Sequence, residues 1–157
     1  MFLLKKIVKG FIVILCMMII FYFSQDTGIQ STKKSDGVIL EVSSFLGVHD
    51  LSMKDQQFLI DTFVVPVRKS AHFLIYLVLG ITLISFLREF LLSPHKLVLI
   101  SIFLAFLYAC SDEVHQLFVI GRSGQFSDVV LDTIGASVGV LFYYILFRKK
   151  LKEEKYE

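Results

Sequence analysis

The sequence contains no tryptophan and only two cysteines, two prolines and nine glycines. Without tryptophan, any aromatic belt at a membrane interface must consist of Tyr and Phe. Cys16 and Cys110 both lie in apolar runs, so there is no disulfide framework, no CxxC pair and no Cys/His zinc pattern. HExxH and G-x-S-x-G motifs are also absent, which removes the local signatures of zinc proteases and of serine hydrolases.

The residues that are abundant are apolar. The chain has 157 residues, of which 55% are hydrophobic, and a mean hydropathy of +0.73. Apolar runs of about 20 residues match the bilayer core of about 30 Å. We therefore predict an all-α polytopic membrane protein that forms a single domain over residues 1–157. Its four transmembrane helices are predicted at about residues 7–24, 70–92, 96–119 and 127–148.

The breaks between these helices have recognisable causes. Ser93-Pro94 separates the second helix from the third, and the glycines of "IGRSG" separate the third from the fourth. The first apolar run follows Lys5, Lys6 and Lys9, an arrangement that also occurs in signal peptides. The sequence "FYFSQD" lacks an A-x-A cleavage pattern, so a retained span is favoured over a cleaved signal.

The basic residues predict the orientation of the chain. If the N-terminus is cytoplasmic, ten of the 16 Lys and Arg residues fall on the cytoplasmic side. The six on the outer side are Lys33, Lys34, Lys54, Arg68, Lys69 and Arg122. We therefore expect a multi-pass protein of the cell membrane with both termini in the cytoplasm.

An outer loop is predicted over residues 25–69, and it contains two amphipathic segments. The first places Val38, Val42, Phe45 and Leu46 on one helical face, with Gly47 as a C-terminal cap. The second opens with Ser52 and Asp55 near capping-box spacing. We expect two short helices on the membrane surface or over the bundle, acting as a packed linker or as a lid over a pocket.

Ionisable residues form stripes at the outer ends of three predicted spans. On a helical wheel, each of the following sets occupies one face: Lys69, His72, Tyr76 and Gly80; Ser101, Ala105, Tyr108, Asp112 and His115 or Gln116; Asp128, Asp132, Gly135 and Gly139. Charged groups in a membrane turn inward and pair because a lone charge is costly there. The stripes therefore predict a polar pocket that opens outward.

The stripes alone leave several roles open. The charges could form helix-end salt bridges, or His72 or His115 could act as a general base oriented by Asp112 or Glu113. Arg68, Lys69 and Arg122 could instead hold a phosphate or carboxylate. No metal site is expected, because the spacing of the acidic and histidine residues matches no metal motif. No cofactor and no nucleic-acid partner are expected either.

Three segments resemble the VanZ-like family: "FSQ" at residues 23–25, "RKSAHFLIYLVLG" at 68–80 and "YACSDEVHQLFVIGRSGQFSDVVLDTIGASVG" at 108–139. The family consists of small bacterial membrane proteins, and its namesake is linked to reduced sensitivity to teicoplanin, a glycopeptide with an acyl tail. The resemblance implies that the family's polar positions are Gln25, Arg68, Lys69, His72, Tyr76, Asp112, Glu113, His115, Gln116, Arg122 and Asp128.

Two positions depart from the family pattern. Asp132 stands where Asn is usual, and Ile75 stands where a polar or acidic residue is common. With Asp132 added to the ligand-binding set, the pocket and the resemblance together predict a protein that handles or excludes lipid-tailed amphiphiles at the cell envelope. The expected partner is a membrane lipid or such an amphiphile. A membrane-embedded enzyme acting on a lipid-linked head group is the alternative, and the sequence leaves a homo-oligomer open.

Overall fold

In the computed structural model, residues 2–48 and 51–153 are described, and their regular secondary structure is helical, with no strand. The helices are α1 (Phe2–Ser24), α2 (Gly28–Phe45), α3 (Met53–Leu87), α4 (Pro94–Gln116) and α5 (Phe126–Glu153). A 3₁₀ turn, Arg88–Phe90, follows α3. The predicted all-α class is confirmed.

Four segments of the described chain are long and apolar enough to cross a membrane: Leu3–Ser24, Met53–Phe90, Pro94–Gln116 and Phe126–Arg148. Large apolar side chains such as Phe11, Leu74, Phe103 and Ile145 are exposed on the outside of the bundle. Hydrocarbon contact explains this exposure, because lipid tails are as apolar as these side chains. The protein is therefore a multi-pass membrane protein.

The predicted start of the second helix, at about residue 70, is wrong, and so is the separate amphipathic helix predicted before it. Residues 53–69 are not a separate surface helix, because α3 runs without interruption from Met53 to Leu87. Pro66 lies inside this helix and removes only one backbone donor. At 1.5 Å per residue, the 38 residues of Met53–Phe90 extend about 57 Å, well beyond a hydrocarbon core of about 30 Å. One helix therefore contains both the predicted amphipathic segment and the span.

The end of α2 and the start of α3 have the capping residues that the sequence predicts. Ser52 caps α3, and its hydroxyl oxygen accepts a hydrogen bond from the Asp55 backbone N–H. Gly47 follows α2 with a φ of +86°, the left-handed conformation expected of a C-terminal glycine. At the far end of α3, Leu91 has a φ of +53°, and α4 then begins with Pro94 in its first turn.

Helix α2 packs against α3, although the face expected to pack is not the buried one. Its buried residues are Ser31, Ser35 and Ile39. Val38, Val42 and Phe45 of the predicted apolar face are exposed, as is Leu46 just beyond the helix. An exposed apolar face beside a membrane-spanning bundle fits a helix at the membrane surface.

The tightest packing in the bundle joins α3 to α5. A methyl group at Gly80 would collide with the Ala136 backbone, and one at Gly139 would collide with the Leu77 backbone. Gly135 approaches the Phe73 backbone in the same way. Small residues let two transmembrane helices approach this closely. The approach fixes the register that brings the polar residues of α3 and α5 to the same depth.

Candidate functional site

The polar residues gather at one end of the bundle, where α1 and α4 end and α5 begins; we call it the polar end. His72 and Tyr76 come from α3, Asp112 and Gln116 from α4, and Asp132 from α5. Tyr76 and Asp132 are fully buried, and Asp112 and Gln116 nearly so. The three predicted stripes therefore face one another between the helices.

Three side chains form the centre of the cluster. The candidate donor atoms of His72, Asp112 and Asp132 all lie within 4.8 Å of one another. His72 Nδ1 is 3.6 Å from Asp132 Oδ2, which is beyond hydrogen-bonding distance. Within the described residues, neither Asp132 oxygen has a hydrogen-bond partner, and neither does His72 Nδ1.

Asp112 is held from one side only. The Ser24 hydroxyl donates to its Oδ2 at 2.9 Å, and Gln116 Nε2 donates to the same oxygen at 3.1 Å. The other oxygen, Oδ1, is buried and accepts no hydrogen bond from any residue in the described ranges. The carboxylate is thus fixed in orientation with one oxygen left unpaired.

Ser24 belongs to the site although the sequence prediction includes its neighbour Gln25 and not Ser24. Gln25 is exposed, whereas Ser24 is buried. The signal was available, because Val13, Cys16 and Ile20 form the buried face of α1 and Ser24 continues it one turn further on. The last residue of an apolar face at the polar end was therefore the better candidate.

Other predicted site residues are engaged in holding the helix ends together. Glu113 Oε2 accepts the backbone N–H of Gln125 at 2.8 Å, which ties the α4–α5 loop to α4. Lys69 Nζ lies 2.6 Å from Asp128 Oδ1, which joins α3 to α5. These contacts give both acidic residues a structural role.

His115 stands apart from the cluster centre. Its ring lies against the Phe21 ring, with 4.5 Å between the centroids. It forms no ion pair with any carboxylate in the described part of the chain, whereas His72 has Asp132 beside it. Of the two predicted general bases, His72 is the one with a carboxylate neighbour.

Two cavities meet at the polar end. The apolar groove, of about 240 Å³, lies between α1, α2 and α3 and is lined by residues that include Ile20, Val38, Val67, Ala71 and Ile75. The polar cavity, of about 280 Å³, lies between α3 and the α4–α5 segment and is lined by residues that include Lys69, Gln116, Gln125 and Asp128. Arg68, His72 and Arg122 line both cavities, so they stand between them.

The two arginines between the cavities have different partners. Arg122 Nε donates to the Asp26 carbonyl oxygen at 3.0 Å, near the end of α1. Burial lowers the pKa of Arg122, and the neighbouring Arg68 guanidinium lowers it further. Arg68 forms no hydrogen bond or ion pair with the residues of the two described ranges. A repelling pair of cations next to a cavity is a favourable place for an anion.

Comparison with known proteins identifies a family. The family model described as VanZ/LLP1 matches residues 10–148, which include most of the first span, the other three spans and the whole polar cluster. Comparisons with curated proteins and with solved structures give no significant match.

Proposed function

The chain belongs to the VanZ/LLP1 family, and from this premise we propose that it binds lipid-tailed amphiphiles that carry an anionic head group. The head group binds between Arg68 and Arg122, and the acyl tail lies in the apolar groove. The observation that carries the proposal is the position of Arg68 and Arg122, which line both the apolar groove and the polar cavity.

The chemistry of the site suits such a ligand. A guanidinium group can hold a carboxylate or phosphate through two parallel hydrogen bonds. Arg68 is available for this, and one face of Arg122 is occupied by backbone carbonyls at the end of α1. Helix α2 forms one wall of the groove and has an exposed apolar face, so a tail can enter beside it from the lipid side.

The orientation is part of the proposal. With both termini in the cytoplasm, the polar end faces outside, where an amphiphile meets the outer leaflet. The distribution of Lys and Arg supports this orientation. Binding there removes the amphiphile from the membrane surface and prevents its anchoring, which is how the protein would lower sensitivity to an acylated glycopeptide such as teicoplanin.

The test is a binding measurement on purified protein in nanodiscs, with teicoplanin and a glycopeptide that lacks the acyl tail. Short-chain phosphatidylglycerol and phosphatidylcholine form a second pair, to separate antibiotic from lipid ligands. We expect the acylated anionic ligands to bind, and Arg68→Gln and Arg122→Lys to weaken binding by about 10-fold or more, since hydrogen bonds to charged groups contribute about 1.5–3 kcal/mol.

Lys54→Gln is the matched control, because it removes one positive charge from an exposed position of α3. Equal affinity for the acylated and tail-free glycopeptides would exclude a role for the groove. Unchanged affinity in both arginine variants would exclude the arginine pair. Susceptibility of a sensitive Gram-positive host that expresses the same variants at matched levels then shows whether binding protects cells.

A second function, hydrolysis or transfer at a lipid-linked head group, is favoured by one observation. His72 has the Asp132 carboxylate at 3.6 Å and lines both cavities, as a general base next to a bound head group must. Turnover of an envelope lipid by the purified protein, lost in His72→Gln and retained in His115→Gln, would support it. Absence of turnover across the envelope lipids would exclude it.

A further inference from the structure

We propose that His72, Asp112 and Asp132 bind a single divalent metal ion, of the zinc or manganese type, between α3, α4 and α5. The proposal is independent of what the two cavities bind. It concerns the centre of the polar cluster, where Asp112 Oδ1 and both Asp132 oxygens have no hydrogen-bond partner among the described residues.

The geometry of the three side chains carries the proposal. One imidazole nitrogen and two carboxylate oxygens, all within 4.8 Å of one another, come from three different helices. Ligands at about 2.0–2.2 Å from one ion lie roughly 3–4 Å apart, so only small side-chain rotations are needed to close the site. The close packing of α3 on α5 through Gly80, Gly135 and Gly139 holds two of these ligands in place.

The unpaired atoms provide the second, independent argument. Asp132 is fully buried and Asp112 is 3% exposed, yet in the described ranges both Asp132 oxygens and Asp112 Oδ1 lack a hydrogen-bond partner. Two neighbouring carboxylates in a membrane-embedded core repel each other and lose hydration. A divalent cation compensates both charges, whereas a protonated His72 compensates one and lies 3.6 Å from Asp132.

The hydrogen bonds around the three side chains resemble those around the ligands of known protein metal sites. Ligating carboxylates are held by further hydrogen bonds from outside the site. Asp112 has this support, because Ser24 and Gln116 both donate to the oxygen that is not left unpaired. The buried Tyr76 hydroxyl, one turn from His72 on α3, also has no hydrogen-bond partner among the described residues, so it is suited to contact a metal-bound water.

The ligand types indicate the metal. An imidazole favours zinc and other late transition metals, and carboxylates also accept manganese, whereas magnesium and calcium favour all-oxygen sites. The sequence predicts no metal site, because these residues do not form a motif of closely spaced ligands. These three ligands are 40 and 20 residues apart and are brought together only by helix packing.

The experiment measures metal content and affinity in the full-length protein, purified in detergent without chelators. Wild type and Asp128→Asn are expected to contain about one equivalent of zinc or manganese per chain, as one closed set of ligands implies. Asp128 is the matched control, because its carboxylate lies one turn from Asp132 on α5 and is paired with Lys69. His72→Gln and Asp132→Asn should each bind at least about 10-fold more weakly, since even outer-shell substitutions cost 10–100-fold.

A second measurement needs no variant. Wild-type protein is stripped with a chelator and titrated with Mn²⁺, and bound ion is followed by loss of the free Mn²⁺ signal in electron paramagnetic resonance. Saturation at one ion per chain, with displacement by Zn²⁺, is the expected result. Folded wild type that takes up neither ion at micromolar concentration would overturn the proposal, as would wild-type affinity in folded His72→Gln and Asp132→Asn.

Discussion

Ser24, the last residue of α1, donates a hydrogen bond of 2.9 Å to Asp112 on α4. The two residues are 88 positions apart, and both are buried. The bond joins the N-terminal span to the polar cluster, since Asp112 also lies beside His72 and Asp132. Helix α1 is therefore part of the site, not only a membrane anchor.

Loss of this bond should be measurable. Ser24→Ala leaves the Asp112 carboxylate with Gln116 as its one remaining donor, so we expect a destabilisation of about 1 kcal/mol. Thermal unfolding in detergent measures the change. Gln25→Ala is the control, because Gln25 is adjacent and exposed, and exposed substitutions usually stay within about 0.5 kcal/mol. A larger loss of stability in Gln25→Ala than in Ser24→Ala would contradict a stabilising hydrogen bond from Ser24 to Asp112.

Much of the fold could be predicted because its signals are local. Apolar runs give the four spans, Pro94 and Gly121 mark breaks, and Ser52 and Gly47 mark helix ends. The prediction failed for α3, where the expected surface helix and the second span form one continuous helix. Nothing local distinguishes a surface helix followed by a span from the continuous α3, because both have the same periodicity.

The candidate site could be predicted in part for the same reason. Helical wheels place His72, Asp112 and Asp132 on inward faces, since ionisable residues in spans turn toward other helices. Their mutual distances depend on the rotation and depth of three helices, which packing at Gly135 and Gly139 determines. Which carboxylate has a partner and which lacks one follows from those distances, not from the pattern.

The α3–α5 contact gives a second prediction. Gly139→Ala places a methyl group against the Leu77 backbone, which cannot move without shifting α3. Overpacking of this kind typically costs about 1–3 kcal/mol, and it should lower the unfolding temperature accordingly. Val138→Ile is the control, because it adds one carbon at an exposed, lipid-facing position of the same helix. Equal stability of the two variants would show that the helices separate easily.

Glu113 gives a prediction about dynamics. Its carboxylate holds the Gln125 backbone N–H, so Glu113→Ala should release the α4–α5 loop. Hydrogen exchange at Gln125 should accelerate by about 10-fold or more, since a hydrogen bond to a charged acceptor contributes about 1.5–3 kcal/mol. Val114→Ala, a truncation of the neighbouring exposed side chain, should leave the loop unchanged. Unchanged exchange in Glu113→Ala would mean that other contacts hold the loop.

The orientation of the bundle determines whether the cavities can reach an external amphiphile, and it can be measured in cells. With Cys16 and Cys110 replaced by Ala, single cysteines are introduced at Ser123, in the α4–α5 loop, and at His95, in the first turn of α4 next to the turn between α3 and α4. A membrane-impermeant maleimide should label Ser123→Cys in intact cells and His95→Cys only after permeabilisation. Four spans place these two turns on opposite sides, so each variant is the control for the other. The reverse pattern would place the polar end in the cytoplasm and contradict binding from the outer leaflet, but a metal ion at His72, Asp112 and Asp132 would be unaffected.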